Sequence, residues 1–162
     1  MNETQLRGLL AKSLPKIAAA SVNAVYRMGF QPVEERPCDC TLEAQAVGSQ
    51  LLYTRNFQVC AFLTMEPAHI FSLGQRAFPK SGRMESPRMV VSANGEALNT
   101  IMGKLAYLVG KLDEDSEVAT TPPLVLNCAG PNGIAVYCAE SLFLKLAAQD
   151  LSMRIITSVQ RL

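Results

Sequence analysis

Between Ser92 and Leu112 the sequence reads SANGEALNTIMGKLAYLVGKL, with apolar residues at Leu98, Ile101, Met102, Leu105, Leu108, Val109 and Leu112. Steps of three and four are the repeat of an α-helix with one buried stripe. The rest of the chain has to supply the surface that covers it. At roughly 100° per residue, with Leu98 at 0°, the stripe centres near about 340°. Glu96, Asn99, Gly103 and Tyr107 then fall at about 160°, 100°, 140° and 180°. A carboxylate, an amide and a glycine therefore share the outward face. A mid-helix glycine costs about 1 kcal/mol relative to alanine. On an exposed face that cost suggests that something comes close to the backbone there, such as a partner surface. Taken alone, Glu and Asn on a solvated helix face are ordinary, and periodicity supports the helix far better than it supports a site.

The chain of 162 residues fits a single domain, 1–162. With 49% hydrophobic and 18% charged residues it is globular rather than disordered. A net charge of +1 supplies no basic field for nucleic acid. Few aromatics and no Trp argue against a base-stacking platform. Five cysteines stand at Cys38, Cys40, Cys60, Cys128 and Cys138, with no CxxC pair, and His69 is the one histidine. That set does not make a zinc site, so no metal is expected, and free thiols in a reducing cytoplasm are the expectation. The first residues lack the apolar core of a secretory signal, and no run approaches ~18 apolar residues, so membrane insertion is not expected. Phosphate-cradling GxxxxGK[ST] and GxGxxG loops are missing, as is GxSxG. His69 would need a partner to act as a base, and the sequence identifies none.

Local patterns predict the remaining elements. Residues 3–12 suit a short amphipathic helix. Ser13-Leu14-Pro15 predicts a fresh helix start, running to about Met28 with Ile17, Ala20, Ser21, Ala24, Val25 and Met28 inward and Gly29 as the stop. Gln31 to Pro37 is a polar connection. Thr41 to Val47 alternates as a strand, Gly48-Ser49-Gln50 makes a turn, and Phe57 to Met65 is a more central strand, paired with the first across a loop holding Arg55 and Asn56. Glu66-Pro67 opens a helix to about Phe78, with Ala68, Phe71, Gly74 and Phe78 inward; Pro79 to Arg83 is a loop. The long helix starts as early as Ser86-Pro87, with Ser92 as a later cap candidate, and an acidic loop, Asp113 to Glu117, follows it. Leu124 to Cys128 and Ile134 to Cys138 are short strands, and Leu142 to Ala148 with Leu151 to Val159 form a closing β-hairpin around Gln149-Asp150. The order predicts an α+β fold, an antiparallel sheet packed against long helices.

The long helix also carries a spaced pattern. Ser92, three residues, Glu96, two residues, Asn99, 22 residues and Pro122 follow one another. This resembles the signature of the CheX/CheC family of chemotaxis phosphatases: Asp or Ser, three residues, Glu, two residues, Asn, 22 residues, Pro. The string GEALNTIMGKL resembles the family's helix, with its glycine four after the asparagine. The helix from Ile17 to Met28 followed by Gly29-Phe30, the length and the closing hairpin resemble a CheX-type chain with one site. The first helix has Asn23 but Ala20 where a second site would carry Glu. Relative to the family, residues 1–12 look like an N-terminal extension.

The resemblance implies a CheC-like fold, a homodimer, and a phosphorylated CheY-like response regulator as substrate in chemotaxis or related two-component signalling. It implies that this chain binds no cofactor and that Mg2+ sits on the regulator. Glu96 and Asn99 are then the catalytic pair, Gly103 and Thr100 contact the partner, and Ser92 and Pro122 are structural members of the motif. Phosphoryl transfer is largely positioning and charge stabilisation. A carboxamide can hold an attacking water, and a carboxylate can pair with the regulator's active-site lysine. An adaptor that binds a regulator or a flagellar switch component without hydrolysis is the alternative. An unrelated α+β domain is the third, which burial of Glu96 or Asn99 would favour.

Overall fold

The computed structural model describes residues 1–34, 42–80, 86–112, 117–124, 134–136 and 141–162. The chain opens on α1, Glu3–Tyr26, a 24-residue helix. Asn2 caps it, its side chain accepting from the Gln5 N–H at 2.9 Å while Gln5 returns the bond to the Asn2 N–H at 2.8 Å. The predicted break at Ser13 is not there, and Pro15 lies inside the helix. An internal proline removes one backbone bond and costs about 3 kcal/mol. Here Ala11, whose carbonyl loses that bond, is on the exposed side. The helix continues because Leu6, Leu10, Leu14, Ala18, Val22 and Tyr26, each four residues on, form one buried stripe across the proline. That stripe also corrects the expected inward face, since Ala20 and Ala24 are exposed. Residues 3–12 are thus the first half of α1, with Leu6 and Leu10 in the main core.

Arg27 ends α1 in the left-handed region (φ 56°), and Gly29 follows at φ 73°. Asn23 fastens this turn. Its amide donates to the Phe30 carbonyl at 2.8 Å and its oxygen accepts from the Phe30 N–H at 2.6 Å. Part of the expected connection then forms an edge strand, β1 (Gln31–Val33). After it come β2 (Leu42–Tyr53), β3 (Phe57–Met65), α2 (Pro67–Ala77) and α3 (Ser86–Leu112). The chain closes with β4 (Ala119–Thr120), β5 (Ile134–Val136), β6 (Leu142–Ala148) and β7 (Leu151–Arg161). The pairings are antiparallel, in the order β1-β6-β7-β3-β2-β4, with β5 against the first part of β2. This is the expected α+β architecture, with the β2–β3 hairpin and the closing hairpin in place. Gln149 takes the left-handed turn position at φ 55°, and Arg76 of α2 holds the turn through Gln149 Oε1 (3.1 Å) and both Asp150 oxygens (2.6 and 2.8 Å).

The core lies between one sheet face and the helices. Leu52, Val59, Ala61, Leu63, Leu146 and Ile155 meet Val90, Leu98, Ile101, Met102, Leu105 and Val109 of α3 and the α1 stripe. In α2 the buried residues are Ile70, Leu73 and Gly74, while Ala68 is exposed and Phe71 half-buried. The expected α3 stripe is also shifted towards its N-terminus. Val90, Asn94 and Ala97 join it, whereas Leu108 is half-buried and Leu112, the last helical residue, is 62% exposed. The expected loop beyond Lys80, most of the acidic run, and the strand residues 125–128 and 137–138 lie outside the described residues.

The predicted turn at Gly48-Ser49-Gln50 is instead the middle of β2. Ala46 pairs with Thr64 but Gly48 pairs with Leu63, so Val47 is an extra residue, a β-bulge. Beyond it Gln50 pairs with Ala61 and faces the core side; without the extra residue it would oppose Cys60 and point to the other face. Gly48 also brings β2 close to α3: an added Cβ would meet Leu98 Cδ2 at 3.4 Å.

Candidate functional site

The outward face of α3 is as the periodicity predicted. Ser92, Glu96, Asn99, Thr100 and Gly103 are all exposed, and Tyr107 is 62% exposed one turn beyond the glycine. Ser92 is not a cap, because α3 begins six residues earlier, at Ser86. It is an exposed serine inside the helix. The Glu96 carboxylate has no hydrogen-bond or ion-pair partner among the described residues. It therefore stands in water, available to a cation. Thr100 donates its hydroxyl proton to the Glu96 carbonyl at 3.0 Å, which turns that proton back onto the helix. Among the described residues nothing lies within 4 Å of a Cβ built on Gly103, so the glycine answers no packing demand from them. Towards the helix end, Lys111 Nζ lies 4.5 Å over the Tyr107 ring.

Asn99 is exposed but not free to turn. Its Oδ1 accepts from Gln50 Nε2 at 3.0 Å, and the same Nε2 donates to the Thr121 carbonyl at 2.7 Å. Gln50 is 1% exposed. Thr121 immediately precedes Pro122, so the return of the chain after α3 passes beside Asn99. Residues 119–124 run along the outer side of β2. Ala119 and Thr120 pair with Tyr53 and Leu52, Thr121 N–H donates to Leu51, and Leu124 exchanges both backbone bonds with Ser49. Pro122 and Pro123 occupy the stretch between, where no N–H is available. Pro122 is exposed and sits at this edge. The structure thus brings Asn99, Thr121 and Gln50 together, with Glu96 and Gly103 on the same helix face. Sequence reasoning missed Gln50. Its signal was a polar residue at an inward strand position, hidden because GSQ resembles a turn and the bulge changes the alternation.

The other candidates have structural settings. His69 lies with Nδ1 3.2 Å from the Ser152 carbonyl and 3.4 Å from the Ser152 hydroxyl, between α2 and β7. Cys60 is a free, half-buried thiol, and burial pushes its pKa up, away from the reactive thiolate. The other four cysteines lie outside the described residues. Among the described residues no group of His, Cys, Asp and Glu is arranged to hold a metal ion. No helix among the described residues is long and apolar enough to cross a membrane.

No family model matches the sequence, and no curated protein does. Solved structures match over nearly the whole chain. A CheC-like superfamily protein from Shewanella sp. PV-4 aligns at TM-score 0.62 and 16% identity, covering 99% of each chain. A CheX from Borrelia burgdorferi, solved as a complex with CheY, BeF3 and Mg2+, aligns at 0.56 and 13% identity, covering 90% of this chain and 96% of that one. The FliM middle domain from H. pylori aligns at 0.52 and 11% identity, covering 97% and 92%. The chain has the fold of the CheX and CheC-like chemotaxis proteins.

Proposed function

We propose that this protein removes the phosphoryl group from the aspartyl phosphate of a CheY-like response regulator. The observation that carries the reading is the exposed Glu96/Asn99 pair, one turn apart on the outward face of α3 and followed by the open backbone of Gly103. Side chains at i and i+3 are neighbours, with Cβ atoms about 5–6 Å apart, so both can enter one concave site together. The shared fold with a CheX solved bound to CheY adds to this support.

In the proposed reaction Glu96 pairs with the active-site lysine of the regulator and sets the docking. Asn99 holds a water in line with the phosphorus. The water oxygen bonds to phosphorus, the bond from phosphorus to the aspartyl oxygen breaks, and the water proton passes to the phosphate. The products are a free carboxylate and inorganic phosphate. Mg2+ belongs to the regulator and neutralises the phosphoryl oxygens there. Two copies of this chain acting as a homodimer complete the proposal.

The fold of the FliM middle domain favours a second reading, an adaptor that binds a regulator without hydrolysing it. The two separate in one assay, phosphate release from phosphorylated CheY-like regulators of the same genome with wild type and Asn99→Ala. Accelerated release that Asn99→Ala abolishes supports the phosphatase. Tight binding with unchanged release supports the adaptor.

A further inference from the structure

The Gln50 side chain is polar, almost wholly buried and bonded to the exposed carboxamide of Asn99. An amide oxygen and nitrogen differ in what they can bond, and a backbone carbonyl can only accept. The Thr121 carbonyl, 2.7 Å away, therefore requires that Gln50 present its Nε2 on this side. The second Nε2 proton then faces Asn99, which must answer with Oδ1 (3.0 Å). That leaves Nδ2, with its two protons, turned outward. The order of bonds runs from a fixed backbone carbonyl through Gln50 to Asn99, so the amide at the surface has one end assigned.

We propose that Gln50 is a positioning residue for Asn99. It holds the carboxamide in a single orientation, Oδ1 inward and Nδ2 outward, before any partner arrives. The inference rests on the phosphatase reading for its catalytic consequence, and on geometry alone for the orientation. The β-bulge at Val47 is part of the device, since it turns Gln50 to the helix side, and Gly48 lets the strand lie close enough under α3. Gln50 Oε1 has no partner among the described residues. A buried unpaired oxygen is a cost with no packing benefit, which fits a side chain retained for what its nitrogen does.

The test has two arms. Side-chain amide NMR of the wild type needs no substitution. An ordered Asn99 amide with cross-peaks to the Gln50 amide is expected; a freely rotating Asn99 amide overturns the inference. In the second arm Gln50→Met keeps the volume and removes both donors. Phosphate release is expected to lose on the order of tenfold in kcat with KM within about twofold, because a misplaced reacting group is costly in this way. The Asn99 amide becomes mobile, and in the Asn99→Ala background Gln50→Met costs nothing further. Gln50→Glu keeps size and polarity but, when ionised, cannot donate; the same loss of rate is expected. Wild-type kcat in Gln50→Met, beside an inactive Asn99→Ala, overturns the role. An ordered Asn99 amide in a wild type that does not accelerate phosphate release removes the phosphatase reading and leaves the orientation standing.

Discussion

Asn94 and Asn99 lie five residues apart on α3, about 140° around the helix, and share a side chain but little else. Asn94 is 0% exposed and sits within the core stripe. The Tyr26 hydroxyl lies 2.7 Å from its Oδ1 and 3.0 Å from the Val90 carbonyl, and burial pushes the Tyr26 phenol pKa well up, keeping it a neutral donor. This amide joins α1 to α3 and meets nothing outside the protein. Asn99 is tied from behind by Gln50 and leaves its donors outside. Asn23 is a third case, with both ends spent on the Phe30 backbone. Asn94 Nδ2 is buried with no partner among the described residues, whereas Asn99 is exposed, so what distinguishes a functional amide here is where its unmade bonds face.

The comparison can be broken most sharply at Asn99. Asn99→Ala should lower phosphate release by at least ~100-fold, the range seen when a positioned polar group is lost from a reaction site. Its melting temperature should stay within error of wild type, and regulator affinity within a few-fold. Asn94→Ala should do the reverse. Urea unfolding should show a loss of about 1–3 kcal/mol, because the buried Tyr26 hydroxyl loses a partner, while release per folded molecule is retained. If Asn94→Ala silences a folded protein, the division of labour is wrong.

Smaller effects sharpen the same contrast. Glu96→Gln removes a charge standing in water, so it should weaken regulator binding by about 1 kcal/mol or less and flatten its dependence on salt, read by titration at two ionic strengths. The smallest effect belongs to the far end of the sheet. The Arg76 hydrogen bond holds the Asp150 carboxyl below the usual carboxylate range. A depressed pKa contributes stability that is present above the unfolded value, about 3.9, and is lost as pH falls through the folded one. The stability difference between wild type and Asp150→Asn should therefore shrink below about pH 4, while phosphate release is unaffected at neutral pH.

Much of this was legible because single elements announce themselves. The α3 periodicity, the Pro67 helix start and the hairpin at Gln149-Asp150 each needed only local signals. What was hidden depended on neighbours distant in sequence. Pro15 looks like a helix start until Leu6 and Leu10 are seen to share a stripe with Ala18 and Val22. Gln31 to Val33 looks like a linker until β6 is there to pair with it. The Glu96/Asn99 face was readable from spacing, but the hold on Asn99 comes from a strand 49 residues earlier, through a bulge. A bulge is set by pairing register, which no local pattern carries.

The prolines at the sheet borders have a consequence for how the protein behaves in a crowd. A sheet recruits other chains through unpaired N–H and C=O groups on its outermost strands. Here one border strand, β1, has Pro32 at its centre, and on the other side Pro122-Pro123 follow β4 after the single residue Thr121. Each is a position where an incoming strand finds no donor. A chain with 49% hydrophobic residues thereby interrupts the ladders along which amyloid-like stacking would spread.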